Sequence, residues 1–195
     1  PNIAQTPKGV PTPALITRAI HELNPYSNIE ILNLGLEVIP QINYFKIHNF
    51  DIKPSESITS GAKIEAMEIF QKGLEFGQNY QTKDEYVILA ETIPAGTTTA
   101  NATAKALGYE CDGYFSSSFK NNPSDIKNET IKKALDNIDK NDDIFEKLSK
   151  VSDNMIIFNA GFILGSRAND LKIILAGGTQ MAAVLLVVNS ILRSM

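Results

Sequence analysis

One carboxylate followed by a run of small and hydroxyl-bearing residues is the feature of this sequence best suited to chemistry. Glu91 comes directly after the apolar segment 86–90, and Gly96 with three threonines follows shortly after it. If a helix begins there, its first N–H groups lack intrahelical partners and its dipole adds partial positive charge. Glycine also lets the backbone approach a ligand closely. We therefore predict a phosphate-binding cradle that needs no lysine, formed by Gly96, Thr97, Thr98 and Thr99. The alternative is that Thr97 merely caps the helix and that the other threonines are surface residues.

Glu91 is the predicted catalytic residue. A carboxylate at the mouth of a buried strand lies next to any ligand bound there, and burial raises the pKa of a carboxyl group. Such a group suits a proton acceptor or a hydrogen-bond partner for a ring nitrogen. The alternative is a solvated loop glutamate, which the neighbouring cradle makes less favoured.

A second turn after an apolar segment repeats the pattern. Gly177 and Gly178 follow the segment 171–176 and precede Thr179, where a helix is expected. Paired glycines bring the backbone close to a ligand or simply make a turn. Because two such turns at one edge of one sheet favour a shared pocket, we add these three residues to the substrate-binding set.

Asp112 lies in a polar segment that could line the same pocket, although such a segment is more often a surface loop.

The elements that must position these residues follow from hydrophobic patterning. Short apolar runs predict buried strands at 29–34, 86–90 and 171–176. Helical spacing predicts helices at 13–23, about 61–80, 97–107, two within 120–150, one from Ser152 or Asp153 to 164, and one from 179 onward. Residues 35–58 hold no strong period and are predicted as a loop with some extended character. Apolar strands joined by helical crossovers predict an α/β fold: a Rossmann-like, doubly wound, mainly parallel sheet with helices on both faces.

Composition bounds the possible functions. A length of 195 residues predicts a single nucleotide-binding core domain, 1–195. It begins with Pro and ends in helical rhythm, so we expect truncation at both ends. One cysteine favours a reducing, cytoplasmic compartment, and a net charge of -4 argues against nucleic acid as a partner. The sequence contains no apolar stretch of about 20 residues, so we predict no membrane span.

Missing motifs narrow the chemistry further. No His, Cys and Asp cluster has metal-ligand spacing, so we predict no metal. The sequence has no G-x-x-x-x-G-K-[ST], G-x-G-x-x-G or G-x-S-x-G motif. P-loop nucleotidases, dinucleotide-dependent hydride transfer and α/β serine hydrolases are therefore disfavoured.

Several segments in a fixed order resemble a known family. They are PKGVPTPALITRAIHEL near the start, AETIPAGTTTANATAKALGYECDGYFSSS in the middle, and NAGFILGS with LKIILAGGTQMAAVLL near the end. Together they span nearly the whole chain. The sequence resembles the nicotinate-nucleotide–dimethylbenzimidazole phosphoribosyltransferases, and within them most closely the archaeal and cyanobacterial branch.

This resemblance implies a pentosyltransferase of cobalamin biosynthesis. The reaction would move phosphoribose from nicotinate mononucleotide to a benzimidazole-type base, giving the nucleotide of the cobalamin lower ligand. The resemblance further implies a homodimer with small-molecule substrates and no metal or redox cofactor. It places the substrate phosphate on the Gly96 turn with Gly177 and Gly178 opposite, and it gives Glu91 the role of holding the base or the developing charge.

Two departures from the family pattern keep a second hypothesis open. The bacterial members carry a loop of the type G-E-M-G-I-G-N-T-T, whereas the run here contains Pro94 and a single glycine, Gly96. Those enzymes also use a further glutamate toward the C-terminus as the proposed base, and no corresponding segment precedes Met195. The fragment itself could therefore be inactive.

The alternative function is a non-catalytic module of the same fold that binds a phosphorylated ligand. A third idea, a protein-interaction scaffold on the charged helices within 120–150, has only composition behind it.

Overall fold

Helices and short parallel strands alternate along the chain. The computed structural model describes residues 9, 11, 12, 14–39, 45–93, 96–115 and 124–195. Four strands are present among these residues: β1 (Glu30–Asn33), β2 (Lys46–Asn49), β3 (Val87–Ala90) and β4 (Ile173–Ala176). The helices are α1 (Ala14–Leu23), α2 (Ala66–Asn79), α3 (Gly96–Ala106), α4 (Ser124–Leu135), α5 (Ile144–Val151), α6 (Asn154–Ser166) and α7 (Thr179–Ser194), with short 3-10 turns at Ile58–Ser60 and Arg167–Asn169. The predicted α/β class is confirmed.

The strands form two parallel pairs within the described residues. β1 pairs with β2, and β3 pairs with β4, with Ala90 directly opposite Ala176. The parallel arrangement agrees with the sequence-based prediction, but the prediction placed three strands in one continuous sheet. β2 was missed because Lys46 and His48 interrupt its apolar pattern, so the segment looked like an extended loop.

Helices cover one face of the β3–β4 pair more fully than the other. Leu89 is buried on one face. Ile88 and its cross-strand partner Ile174 both lie on the other face and are 44% and 49% exposed. The continuous apolar runs predicted strands covered on both faces. In the described part of the chain, that second face of the pair remains partly open.

The buried helix α6 forms the centre of the core and packs closely against α2. Glycines make this approach possible: a Cβ on Gly73 would lie 2.1 Å from the Phe158 carbonyl oxygen, and a Cβ on Gly161 would lie 2.2 Å from the Phe70 carbonyl oxygen. Because the neighbouring atoms belong to the backbone, neither contact could relax without moving a helix. This packing fixes the direction of α6 and therefore the position of its first turn.

The first turn of α6 is tied to the ends of the first strand pair. Asp153 is its N-cap, accepting a hydrogen bond at Oδ1 from the Ile156 N–H at 2.9 Å. Asn154 Nδ2 donates to the carbonyl oxygens of Leu34 and Lys53 at 2.8 Å each, just beyond β1 and β2. The beginning of α6 therefore lies at the carboxyl-end edge of β1 and β2.

Most predicted helix boundaries agree with the structure to within a few residues. α3 follows the predicted segment, and two helices, α4 and α5, occupy the charged region as expected. The second predicted helix begins later than expected, at Ala66, because Ser57 caps the 3-10 turn at Ile58–Ser60 instead of α2. The predicted start at Pro13, the loop residue Pro94 and the serines at 116–118 lie outside the described residues.

Candidate active site at the carboxyl ends of the strands

Glu91 and the glycine turn after β4 meet at one edge. Glu91 directly follows β3 and Gly177 directly follows β4, and the two strands are parallel and in register. A Cβ on Gly177 would lie 3.4 Å from Glu91 Cγ and 3.5 Å from Glu91 Oε1. Gly177 also has a φ of +153°, which side-chain-bearing residues rarely adopt. The turn therefore needs glycine for its backbone, and a Cβ there would also lie 2.8 Å from Met181 Cγ, while its contact with the carboxylate would be an ordinary one.

The carboxylate of Glu91 is half-buried and held in a defined orientation. Its Oε2 accepts a hydrogen bond from the Ile93 N–H at 3.0 Å. With its amide nitrogen facing the carboxylate, Gln180 donates to Oε2 at 3.2 Å and also to Oε1. Gln180 is only 5% exposed and lies in the first turn of α7. Sequence reasoning missed this residue, whose only local signal is a polar side chain directly after the Gly177–Gly178 turn.

Gly96 connects the beginning of α3 to this carboxylate. It is buried, and a Cβ there would lie 1.7 Å from a terminal atom of the Gln180 side-chain amide and 2.7 Å from Gln180 Cδ. Any side chain at position 96 would therefore push Gln180 away from Glu91. The sequence suggested that glycine lets the backbone approach a phosphate, whereas the structure shows that glycine makes room for Gln180.

Two of the predicted threonines line a cavity on the other side of α3. Thr97 and Thr98 lie at the wall of a cavity of about 670 Å³ between α3 and α4, together with Lys105 and Lys127. Lys127 Nζ donates to Thr97 Oγ1 at 3.1 Å. Amines and hydroxyls beside the N-terminus of a helix suit an anionic group. The lysines were not predicted, because Lys127 lies 30 residues beyond Thr97 and carries no local motif.

The remaining predicted residues surround these two clusters. Asp112 lines the same cavity, and its exposed side chain pairs with Lys105 Nζ at 2.5 Å. Thr99 is half-buried and its carbonyl oxygen accepts from Thr103 Oγ1 at 2.9 Å. Gly178 is the N-cap of α7 and Thr179 its first residue. The predicted set thus divides into a carboxylate cluster around Glu91 and a cationic cavity beside α3.

A buried polar segment, Ser152–Asn154, lies at the beginning of α6 near Glu91. Ser152 is fully buried, and Asp153 and Asn154 are 7% and 5% exposed. Burial, with a smaller contribution from the Glu91 carboxylate, raises the pKa of Asp153 to about 6 against the lowering effect of the Ile156 and Met155 N–H groups. Sequence reasoning treated Ser152 and Asp153 only as capping residues. The structure makes Asp153 a buried acid whose carboxyl group interacts electrostatically with Glu91.

The described ranges hold neither a membrane-spanning helix nor a cluster of side chains suited to a metal ion. None of the helices there has both the length and the apolar character needed to cross a membrane. No three His, Cys, Asp or Glu side chains in those ranges gather into a group that could hold a metal ion.

The sequence is similar to archaeal proteins named UPF0284. It is 38% identical over 194 residues to a UPF0284 protein of Saccharolobus solfataricus, covering 98% of this chain and 53% of that relative. It is also 38% identical over 186 residues to a UPF0284 protein of Methanocaldococcus jannaschii, covering 94% of this chain and 51% of that relative. The chain therefore spans about half the length of these relatives. The sequence matches no protein-family profile.

Two solved structures share the fold. The first is a nicotinate-nucleotide–dimethylbenzimidazole phosphoribosyltransferase from Thermus thermophilus, with a TM-score of 0.70 and 16% identity, covering 91% of this chain and 54% of that one. The second is CobT from the same organism, with a TM-score of 0.70 and 15% identity, covering 94% and 60%. The resemblance indicated by the sequence motifs is thereby confirmed for the fold.

Proposed function

We propose that this chain carries the substrate-binding core of a phosphoribosyltransferase that moves phosphoribose from nicotinate mononucleotide to a benzimidazole-type base. The observation that carries the proposal is the position of Glu91. Its carboxylate is fixed between Gly177 and Gln180 at the carboxyl ends of β3 and β4, where ligands bind in open α/β sheets. The beginning of α3 lies against Gln180 at Gly96, and the cationic cavity lies on the other side of this helix.

The cationic cavity is the proposed site for the nucleotide phosphate. Lys127, Lys105 and the hydroxyls of Thr97 and Thr98 supply donors around one space. Charge-assisted hydrogen bonds from lysine to phosphate are roughly twice as strong as neutral ones. The partial positive charge at the beginning of α3 adds to this attraction. Asp112 would contribute by holding Lys105 through its ion pair.

Glu91 is proposed to stabilise the reacting sugar carbon. As the C1′–N bond to the pyridinium ring breaks, its electron pair returns to the ring and positive charge develops at C1′. A carboxylate already oriented by Ile93 N–H and Gln180 meets this charge without reorganising. The incoming base then forms its own C1′–N bond and loses the proton of its second ring nitrogen.

Product formation tests the proposal directly. Full-length protein incubated with nicotinate mononucleotide and dimethylbenzimidazole should yield nicotinate and the benzimidazole riboside phosphate, measured by mass spectrometry. Glu91→Gln should lower kcat at least about 100-fold, as removal of a preorganised electrostatic group does. Glu85→Gln is the matched control, because Glu85 lies exposed just before the opposite end of β3, where it pairs with Lys172. Folded protein that forms no product with any benzimidazole would contradict the proposal.

A non-catalytic binding module is the second candidate. Both oxygens of Glu91 accept hydrogen bonds from Ile93 and Gln180, which favours a holding role over proton transfer. Calorimetric titration distinguishes the two functions: tight binding of nicotinate mononucleotide with no turnover would favour the module. A homodimer and a cytoplasmic location belong to the same proposal, and sedimentation of the full-length protein would test the dimer.

A further inference from the structure

Three consecutive residues at the beginning of α6 each bury a polar atom that is left without a hydrogen bond. The atoms are Ser152 Oγ, Asp153 Oδ2 and Asn154 Oδ1, none of which has a partner among the described residues. All three residues are more than nine-tenths buried. An unpaired buried polar atom is costly, and native structures contain few of them. Three in succession beside a candidate active site therefore point to a ligand.

Two of these side chains are anchored through their other atom. Asp153 Oδ1 caps α6 by accepting from the Ile156 N–H at 2.9 Å. Asn154 Nδ2 donates to the carbonyl oxygens of Leu34 and Lys53. The unpaired oxygens of Asp153 and Asn154 therefore keep a fixed orientation, and a ligand reaches them once the groups that cover them move aside. Fixed acceptors of this kind are what preorganised sites require.

The unpaired atoms also define the polarity of the ligand. Asp153 Oδ2 and Asn154 Oδ1 are acceptors, and the nearby Glu91 carboxylate adds negative charge. A phosphate, which offers only acceptors and negative charge, does not fit here. A neutral heteroaromatic ring with an N–H donor does fit.

We propose that the beginning of α6 receives the ring N–H of the acceptor base and that Asp153 takes its proton. This inference rests on the proposed function. As one ring nitrogen forms its bond to C1′, the C1′–N bond to the pyridinium breaks and its electron pair returns to that ring. The proton on the second ring nitrogen moves to Asp153 Oδ2, which later releases it to solvent. Both the new nucleoside base and the departing nicotinate ring are then uncharged at nitrogen.

The surroundings of Asp153 suit this role. Burial and the Glu91 carboxylate raise its pKa to about 6, so the group is mostly ionised near neutral pH and still basic enough to accept a proton. The Ile156 and Met155 N–H groups of α6 act in the opposite direction and keep the pKa from rising further.

Two probes that differ in a single N–H test the inference. Full-length protein is titrated calorimetrically with benzimidazole and with 1-methylbenzimidazole, which lacks the ring N–H. Wild-type protein should bind benzimidazole at least about tenfold more tightly, the usual value of a hydrogen bond to a charged group. In Asp153→Asn the amide oxygen replaces Oδ1 as the cap, so the amide N–H₂ faces the ligand and this preference should disappear.

Asp143→Asn is the matched control for loss of a helix-capping carboxylate. Asp143 Oδ1 caps α5 by accepting from the Glu146 N–H at 2.8 Å, in the same way that Asp153 caps α6. This control should keep the preference for benzimidazole. Binding of nicotinate mononucleotide should be unchanged in both variants, since neither touches the cationic cavity.

The outcomes separate the inference from the proposed function. If wild-type protein binds both probes equally, or Asp153→Asn keeps the preference, the inference is overturned, while product formation by the wild type would still uphold the proposed function. If the wild type binds neither nucleotide nor base, both are overturned. Should Asp153→Asn fail to fold, the wild-type comparison of the two probes decides alone.

Discussion

The cavity beside α3 and the first turn of α6 are two polar regions that differ in almost every physical respect. The cavity between α3 and α4 is lined by threonine hydroxyls and by three lysines, Lys105, Lys127 and Lys132, which outnumber its two aspartates, Asp112 and Asp136. The first turn of α6 is buried and offers unpaired oxygens, which are acceptors. Two regions of opposite hydrogen-bonding polarity are suited to two different substrates. The phosphate fits the first region and the N–H of a base fits the second.

The two regions also differ in how strongly water screens them. Lys127 is half-buried, whereas Asp153 is 7% exposed. Interactions of partly exposed charges weaken with salt, while those of buried groups are screened much less. The cationic cavity therefore attracts its ligand by charge, and the α6 turn selects its ligand by hydrogen-bond geometry.

We expect the largest effect on ligand binding from removing the Lys127 cation in the cavity beside α3. Lys127→Ala should weaken binding of nicotinate mononucleotide about 10- to 100-fold, because a charge-assisted hydrogen bond to the phosphate is lost. Binding of benzimidazole should be unchanged. Lys63→Ala, which breaks a surface pair with Glu56, is the control. Equal nucleotide affinity in both variants, measured by calorimetry, would contradict the assignment of the phosphate to this cavity.

A methyl group at position 96 tests the orientation of the Glu91 carboxylate. Gly96→Ala should displace Gln180 and leave Glu91 poorly oriented, lowering kcat by about tenfold, in the range of one lost hydrogen bond. Gln180→Ala should cost a similar amount. Because both changes act on one contact, the double variant should be little worse than either single one. Additive losses in steady-state kinetics would show that Gly96 acts independently of Gln180.

The carboxylate cluster also shows how far sequence reasoning reaches. Glu91 and Gly177 could be placed together from sequence, because each follows an apolar strand and parallel strands end at one edge. Gln180, Lys127 and Asp153 could not, since their roles depend on contacts between distant segments. Gln180 looks like an ordinary helix residue, and Asp153 like an ordinary cap, until burial is known.

The strands show the same limit. β3 and β4 were predicted because their apolar runs are uninterrupted. β2 was missed because its sequence is KIHN, and its pairing with β1 depends on tertiary contacts. Element type was therefore predictable where burial left a continuous pattern, while the division of the strands into two pairs was not.

The buried acid should affect stability in a pH-dependent way. The pKa of Asp153 is raised to about 6 in the folded chain from an ordinary value of 3.8. The protonated form therefore stabilises the fold below about pH 4, and this contribution is lost as the pH rises through 6. Asp153→Asn should raise the free energy of unfolding at pH 7.5 by about 1–3 kcal/mol and leave it nearly unchanged at pH 4. Urea unfolding at both pH values measures this, and equal shifts at the two values would contradict the burial of a charged group.

A change in salt concentration should have the smallest effect on binding, and this effect should differ between the two ligands. Raising NaCl from about 50 to about 500 mM should weaken binding of nicotinate mononucleotide several-fold and leave binding of benzimidazole nearly constant. Parallel calorimetric titrations measure both. A salt dependence of similar size for the two ligands would mean that one kind of interaction governs both regions.

The central claim is that the nucleotide binds at the shared edge of β3 and β4, with Glu91 at its sugar carbon. A crystal structure of the full-length protein with nicotinate mononucleotide tests it most directly. We expect the phosphate against Thr97, Thr98 and Lys127, and C1′ within contact distance of the Glu91 carboxylate. A nucleotide bound elsewhere, or bound with its sugar turned away from Glu91, would contradict the account.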